Sequence, residues 1–158
     1  MSKLQISHAV MTNEMTPTDF VQTSGTNFLN SGFIIEKNDV AVYIDFEKLN
    51  AGNGYFFSQK ENNLPNWFTV EYNSNNDGLY ANIGNTTICR ISPDNPVNRR
   101  IQMLLSAKNG KWTCSETYSA SGTYTWTVVT PGTTLWFSVA NTTSPDYTTA
   151  AKWYGIKI

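Results

Sequence analysis

An all-β fold, a sandwich or a barrel, is what this sequence of 158 residues predicts, and three observations carry the prediction. Short runs rich in Val, Ile, Tyr, Phe and Trp recur at intervals of about eight to twelve residues, the spacing of strands in sandwiches and barrels. The segments between them are built from Asn, Gly, Ser, Pro and Asp, each of which suits a turn for its own backbone or side-chain reason. No run of about a dozen residues has the 3.6-residue apolar periodicity of an amphipathic helix. The 20 threonines and 18 asparagines act in the same direction, because both residue types favour strands, turns and wet surfaces over helices.

Residues 1–26 stand apart from the rest: they hold the single histidine, His8, and three of the four methionines. Their apolar content is too low for an independent unit, so they read as an N-terminal arm. Within it Thr16-Pro17-Thr18-Asp19 has the cap and first-position proline of a short helical turn. Residues 27–35 form a candidate first strand, ended by the turn Glu36-Lys37-Asn38-Asp39. Residues 40–49 alternate clearly, with Val40, Val42, Ile44 and Phe46 on one face and Tyr43, Asp45 and Glu47 on the other, so one side is expected in the core and one in water. Strands are also expected over 54–60, 67–72, 79–83, 86–91, 99–107, 111–116 and 123–129. The breaks fall at Gly84-Asn85, 92–96, Asn109-Gly110, 119–122 and 130–132. Asn109-Gly110 between two strands is the strongest hairpin signal in the chain. Two further strands close the sequence. In 134–140, Leu135, Phe137 and Val139 share a face against Trp136 and Ser138. In 151–158, Tyr154, Ile156 and Ile158 share a face against Trp153 and Lys157. A final segment this apolar is expected to be an inner strand of the core.

Composition excludes several classes. Apolar residues make up 40%, enough for a core without staples, and charged residues only 15%, below the roughly 25% of a typical soluble domain. A net charge of −1 gives no basis for contacts to nucleic acid or an anionic membrane. No apolar run is long enough for a membrane span. The first residues lack the apolar segment of a signal peptide, so the chain is expected to be made in a cytoplasm. Cys89 and Cys114 are not at metal-ligand spacing; each falls in an expected strand and reads as a small buried hydrophobe, with a disulfide between them the alternative. No cofactor is implied.

Several pieces taken in order carry a resemblance: Val40-Ala-Val-Tyr-Ile-Asp-Phe, Gly54-Tyr-Phe-Phe-Ser, Gly78-Leu-Tyr-Ala-Asn-Ile-Gly, Arg99-Arg-Ile-Gln-Met-Leu-Leu-Ser-Ala-Lys-Asn-Gly-Lys-Trp, Thr134-Leu-Trp-Phe-Ser-Val-Ala-Asn and Ala151-Lys-Trp-Tyr-Gly-Ile-Lys-Ile. Over residues 27–158 this order resembles the concanavalin A-like lectin/glucanase domain, in the laminin-G-like form common in phage and bacterial surface proteins. The resemblance rests on strand patterns. It implies a jelly roll, that is, a two-sheet antiparallel β-sandwich, here carrying the N-terminal arm of residues 1–26.

The glucanases of this fold carry Glu-x-Asp-x-x-Glu on one strand, which sets acid and nucleophile on one sheet face for retaining hydrolysis. Asp45-Phe46-Glu47 is the nearest match here, and Asn50 stands where a third carboxylate would be. Two carboxylates on the wet side of a strand are more often solvated surface, so no catalytic residue and no enzyme is expected. His8 has no nucleophile motif near it. Residues 73–78 alternate oxygen ligands like a calcium loop but bring one carboxylate, Asp77, and an Asn/Gly turn explains them better; Asp94 and Asp146 lie in other loops, so no metal is expected. The sequons at Asn85 and Asn141 matter only in a secretory pathway. Aromatics are the best lead, since a sugar offers an apolar C–H face to a ring and hydroxyls to Asn or Asp. Trp67, Tyr72, Tyr80, Trp112, Tyr118 and Tyr124 sit near strand ends or polar loops and are the candidate glycan-binding residues; the competing reading for each is core or edge packing. Trp136 and Trp153 are expected between the sheets or under the arm.

These features support two functional expectations. The first is a non-catalytic module on a virion or particle surface, of the phage decoration, fibre or tail-appendage type, binding cell-surface glycans or serving structure alone. The arm would then contact other virion or surface proteins or symmetry mates of a homo-oligomer. The second is a free bacterial carbohydrate-binding module, with a glycoside hydrolase a more distant variant.

Overall fold

The computed structural model describes residues 4–5, 20–35, 39–59, 67–75, 78–84, 87–92, 95–125, 134–138 and 148–158. Every regular element in them is a strand: β1 (Leu4–Gln5), β2 (Val21–Ser24), β3 (Leu29–Asn30), β4 (Asp39–Lys48), β5 (Gly54–Gln59), β6 (Trp67–Asn73), β7 (Gly78–Gly84), β8 (Thr87–Ser92), β9 (Arg100–Lys108), β10 (Lys111–Glu116), β11 (Ala120–Thr123), β12 (Trp136–Phe137) and β13 (Ala150–Lys157). They form two sheets packed face to face as a jelly-roll sandwich. One has seven strands in the order β1-β3-β12-β5-β6-β7-β8, the other six in the order β11-β10-β9-β4-β13-β2. All strand pairs are antiparallel except β1 with β3.

The inward side of β4 appears as expected, with Val42, Ile44 and Phe46 fully buried, whereas Asp45, expected in water, is only 5% exposed because it is held by neighbouring side chains. Asn109 and Gly110 both have positive φ, 51° and 75°, which is the type I′ turn that joins β9 to β10. The core is an aromatic chain running between the layers. Phe46 and Trp153 from the six-stranded sheet lie 5.6 Å apart; Phe46 meets Phe56 of the other sheet at 4.1 Å, and Trp153 meets Phe137 at 5.5 Å. A ring of this size buries on the order of 150–250 Å² and dominates the stability of a sandwich.

The final strand is an inner strand, flanked by β4 and β2. Its faces differ from simple alternation. The register against β4 shifts between Trp153 and Gly155, so Tyr154 is the extra residue of a β-bulge. Trp153 and Ile156 therefore both point into the core, while Tyr154 turns outward; a straight period of two had put Tyr154 with Ile156.

Two strands, β1 and β2, fall within residues 1–26. β2 lies within residues 1–26, yet it pairs with β13 as the edge of the six-stranded sheet. Its Thr23 is fully buried. Thr23 Oγ1 accepts a hydrogen bond from Ala151 N at 3.1 Å and lies 2.8 Å from Ser138 Oγ, which takes the indole N–H of Trp153 at 3.1 Å. This polar knot ties β2 and β13 to Ser138, the residue after β12, so β2 is built into the sandwich. Residues 119–122, expected as a break, instead supply most of β11. Gly122 is required there, because a Cβ would lie 2.5 Å from Nε1 of Trp112. The expected strand 27–35 shrinks to Leu29–Asn30. Cys114 is a free, buried thiol whose pKa burial raises to about 11. Its structural role is that of a small hydrophobe. The side chain of Cys89, His8, the turn at 16–19, Asp77, Asp94, Asp146, Asn85, Asn141 and most of the expected strand 123–129 lie outside the described residues.

Candidate functional site

Each sheet turns a second face outward, and the two carry different chemistry. On the six-stranded sheet the outward residues of β4 are Tyr43, Asp45 and Glu47, opposite Gln102 and Arg100 of β9 and Lys152 of β13. Arg100 grips Asp45 with two donors, Nε to Oδ1 at 2.9 Å and Nη2 to Oδ2 at 3.0 Å, and Gln102 Nε2 adds a third hydrogen bond at 3.0 Å. This bidentate geometry is the strong form of an ion pair. The bond to Asp45 holds the Arg100 pKa above its ordinary value. Glu47 Oε2 accepts from Lys152 Nζ at 3.2 Å and from Tyr154 Oη at 3.0 Å. The Tyr154 ring is covered by the Arg100 guanidinium at 4.0 Å, with Phe20 against its edge at 5.8 Å. Burial raises the Tyr154 pKa, and the bond to Glu47 raises it further. Tyr43 is raised first by burial and then by the charges of Asp45 and Glu116. Asp45 and Glu47 are thus engaged with fixed cations on a flat sheet surface.

On the seven-stranded sheet the register builds a row across four strands. Tyr55 of β5 stands opposite Glu71 of β6, Glu71 opposite Tyr80 of β7, and Tyr80 opposite Arg90 of β8. A bulge at Phe56 lets Phe56 and Phe57 both enter the core while Tyr55 stays outward. Directly opposed side chains have Cβ atoms about 4.5–5.5 Å apart, so Glu71 lies between two tyrosines within touching distance. Tyr55, Glu71 and Tyr80 are half-buried and Arg90 is exposed. The Arg90 guanidinium carbon lies 6.0 Å from the centre of the Tyr80 ring. Among the described residues no hydrogen bond or ion pair reaches the Glu71 carboxylate. The neighbouring row on the same face, Trp136, Ser58, Thr69 and Asn82, is buried, with Asn82 Nδ2 donating to Thr69 Oγ1 at 3.0 Å. A half-open strip of ring, carboxylate, ring and guanidinium therefore borders a polar, closed one.

The structure distributes the aromatics expected to bind sugar. Tyr80 lies in the strip. Tyr72, Trp112, Tyr118 and Tyr124 are buried in the core between the sheets. Tyr72 is 3% and Trp112 5% exposed, which leaves no open ring face for a sugar. Burial raises the Tyr124 pKa. Only the backbone of Trp67 is described, at the start of β6. Trp153 packs between the sheets, whereas Trp136 meets Phe28 at 5.0 Å on the outer side of the seven-stranded sheet. Sequence reasoning missed Tyr55, Glu71 and Arg90, since their adjacency depends on cross-strand register. The signal that could have found them is the position next to a core residue on each successive strand.

One buried charge also escaped the sequence. Lys48 continues the core side of β4 and is fully buried. Its ammonium donates to the backbone oxygen and to Oδ1 of Asn50 and lies 5.7 Å from the centre of the Tyr72 ring. Burial lowers its pKa to about 8.

No family model matches the sequence, and no curated protein matches it. Solved structures do resemble the fold. The carbohydrate binding module CBM66 from Bacillus subtilis is 12% identical with a TM-score of 0.52, over 97% of this chain and 98% of that one. A Trypanosoma rangeli sialidase is 8% identical with a TM-score of 0.53, over 75% of this chain and 20% of that one. The alginate lyase AlgAT5 of polysaccharide lyase family 7 is 11% identical with a TM-score of 0.49, over 74% of this chain and 56% of that one. The chain thus spans about half of the lyase and a fifth of the sialidase, but nearly the whole of the binding module. At these identities the likeness is one of fold.

Proposed function

We propose that this domain is a non-catalytic glycan-binding module whose ligand lies along the outer face of the seven-stranded sheet. The observation that carries the reading is the strip Tyr55–Glu71–Tyr80–Arg90. It combines two rings for the C–H faces of a sugar with a half-buried carboxylate, paired with no described residue, that can accept from hydroxyls. The likeness to a carbohydrate binding module along nearly the full length of both chains supports it. So does the capture of Asp45 and Glu47 in ion pairs, which leaves the nearest match to a hydrolase carboxylate set occupied. The similar structures lend no support to a virion-surface role.

The test is a glycan array probed with the whole chain, followed by titration of any glycan retained. Tyr80→Ala and Tyr55→Ala should each weaken binding roughly tenfold, equivalent to about 1.4 kcal/mol. Trp112→Phe, a change within the core, should leave affinity unchanged. Retention of full affinity in both tyrosine variants would place the site elsewhere. Glucan hydrolysis that disappears in Asp45→Asn would overturn the non-catalytic assignment.

A further inference from the structure

We infer that the glycan bound on this strip is an amino sugar, whose protonated amine is received by Glu71. The inference rests on the glycan-binding reading above and narrows it to a ligand class. Glu71 is half-buried, so a counter-charge or a set of donors would stabilise the side of its carboxylate turned from water. Among the described residues it has neither. Arg90 does not serve, because β7 lies between β6 and β8 and the two strands are roughly 10 Å apart. Arg90 is instead drawn over Tyr80.

The groups nearest Glu71 shape what can neutralise it. Tyr55 and Tyr80 stand to either side in register, with Asn73 two residues along and the buried Thr69 two residues back on the same face. Rings beside a carboxylate favour a cation, since the negative faces of both rings and the charge of the acid act together on an ammonium. A uronate or sialate would bring a second negative charge against Glu71, and like charges at contact disfavour binding. A neutral sugar could hydrogen-bond to the carboxylate but would leave its charge unmatched. A glucosamine-type residue meets each demand: amine to Glu71, ring C–H face to a tyrosine, and hydroxyls to the remaining donors.

The experiment compares two probes that differ only in the acetyl group, the tetramer of glucosamine and the tetramer of N-acetylglucosamine, titrated into the whole chain by calorimetry. The glucosamine tetramer should bind at least about tenfold more tightly at low salt, with the ratio shrinking as salt is added. Glu71→Gln keeps the shape and the acceptor but removes the charge. It should bring the two affinities within about twofold of each other while leaving the melting temperature unchanged. Equal binding of both tetramers, with loss of both in Tyr80→Ala, would leave the glycan module standing and overturn the amino-sugar inference. A preference that survives Glu71→Gln would also overturn it. A lysine pentapeptide that binds as tightly as the glucosamine tetramer would show a bare cation site, against the inference. Binding of neither tetramer, with another glycan retained on the array, would overturn it without touching the broader reading.

Discussion

On the six-stranded sheet Asp45 is held by Arg100 and Gln102, and Glu47 by Lys152 and Tyr154. On the seven-stranded sheet Glu71 has a tyrosine on each side and, among the described residues, no ion pair. The same residue class, on equivalent outer faces, meets opposite treatment. Where a carboxylate belongs to the fold, the fold supplies its counter-charge from the adjacent strands. Where no described residue supplies one, as at Glu71, the carboxylate is left to water or to the ligand proposed above. Exposed aromatics alone would have pointed to Tyr154 as readily as to Tyr80. What marks Tyr80 is its place beside Glu71, which no described residue pairs with, whereas Tyr154 donates to a Glu47 already paired with Lys152.

Substitutions on the two faces should therefore act on different quantities. Arg100→Ala has the largest expected effect on folding, since it strands a carboxylate that is 8% exposed. Breaking buried pairs costs about 3–5 kcal/mol, but Arg100 is itself 43% exposed, so a loss near ~2 kcal/mol is expected in urea denaturation. Glycan affinity should stay at the wild-type level. A stability change under about 0.5 kcal/mol would show that this network is not structural.

Lys48 supplies a case of an unmatched charge that no ligand can reach. Its pKa in the folded chain is about 8 against 10.5 for an ordinary lysine. Between those values the unfolded chain binds more protons than the folded one, so stability should rise as pH climbs from about 8 to 10.5 and be lowest, from this residue's contribution, below pH 8. Lys48→Met should abolish that rise and add on the order of 1–2 kcal/mol at neutral pH. Melting curves across the window read both. A flat profile for the native chain would mean that water hydrates the amine.

Glu47→Gln should cost less, about 1 kcal/mol, because Lys152 and Tyr154 remain partly solvated. Smallest of all is Glu71→Gln, expected within about 0.5 kcal/mol of wild type in the same denaturation assay, or slightly stabilising. A loss of about 2 kcal/mol there would mean that Glu71 serves the fold, and the contrast between the faces would vanish.

How much of this could be read from the sequence depends on range. The inward side of β4 and the Asn109-Gly110 turn were legible, since both depend on neighbours a few residues apart. The bulge at Tyr154 was not, because nothing local distinguishes a shifted register from a straight one until β4 is in place. Nothing local marks Lys48 as buried, since its burial depends on Asn50 and Tyr72 folding around it. The four aromatics chosen near loops and found in the core show the limit of proximity to a turn as a sign of exposure. Trp112 is the clearest, covered by the bare backbone of Gly122 on β11, a strand whose small residues read as a break. The strip itself joins residues 55, 71, 80 and 90, and only the pairing of four strands makes them neighbours.

The pairing of β2 with β13 has a mechanical corollary. Val21 lies opposite Trp153 and Ser24 opposite Ala150, so the chain entering β2 and the chain leaving β13 depart toward the same end of the sheet. A pull that separates the residue before Val21 from the residue after Lys157 would open these rungs singly, like a zip, rather than shearing them together. Thr23, bonded to partners more than a hundred positions away, is the tooth on which such a pull would catch.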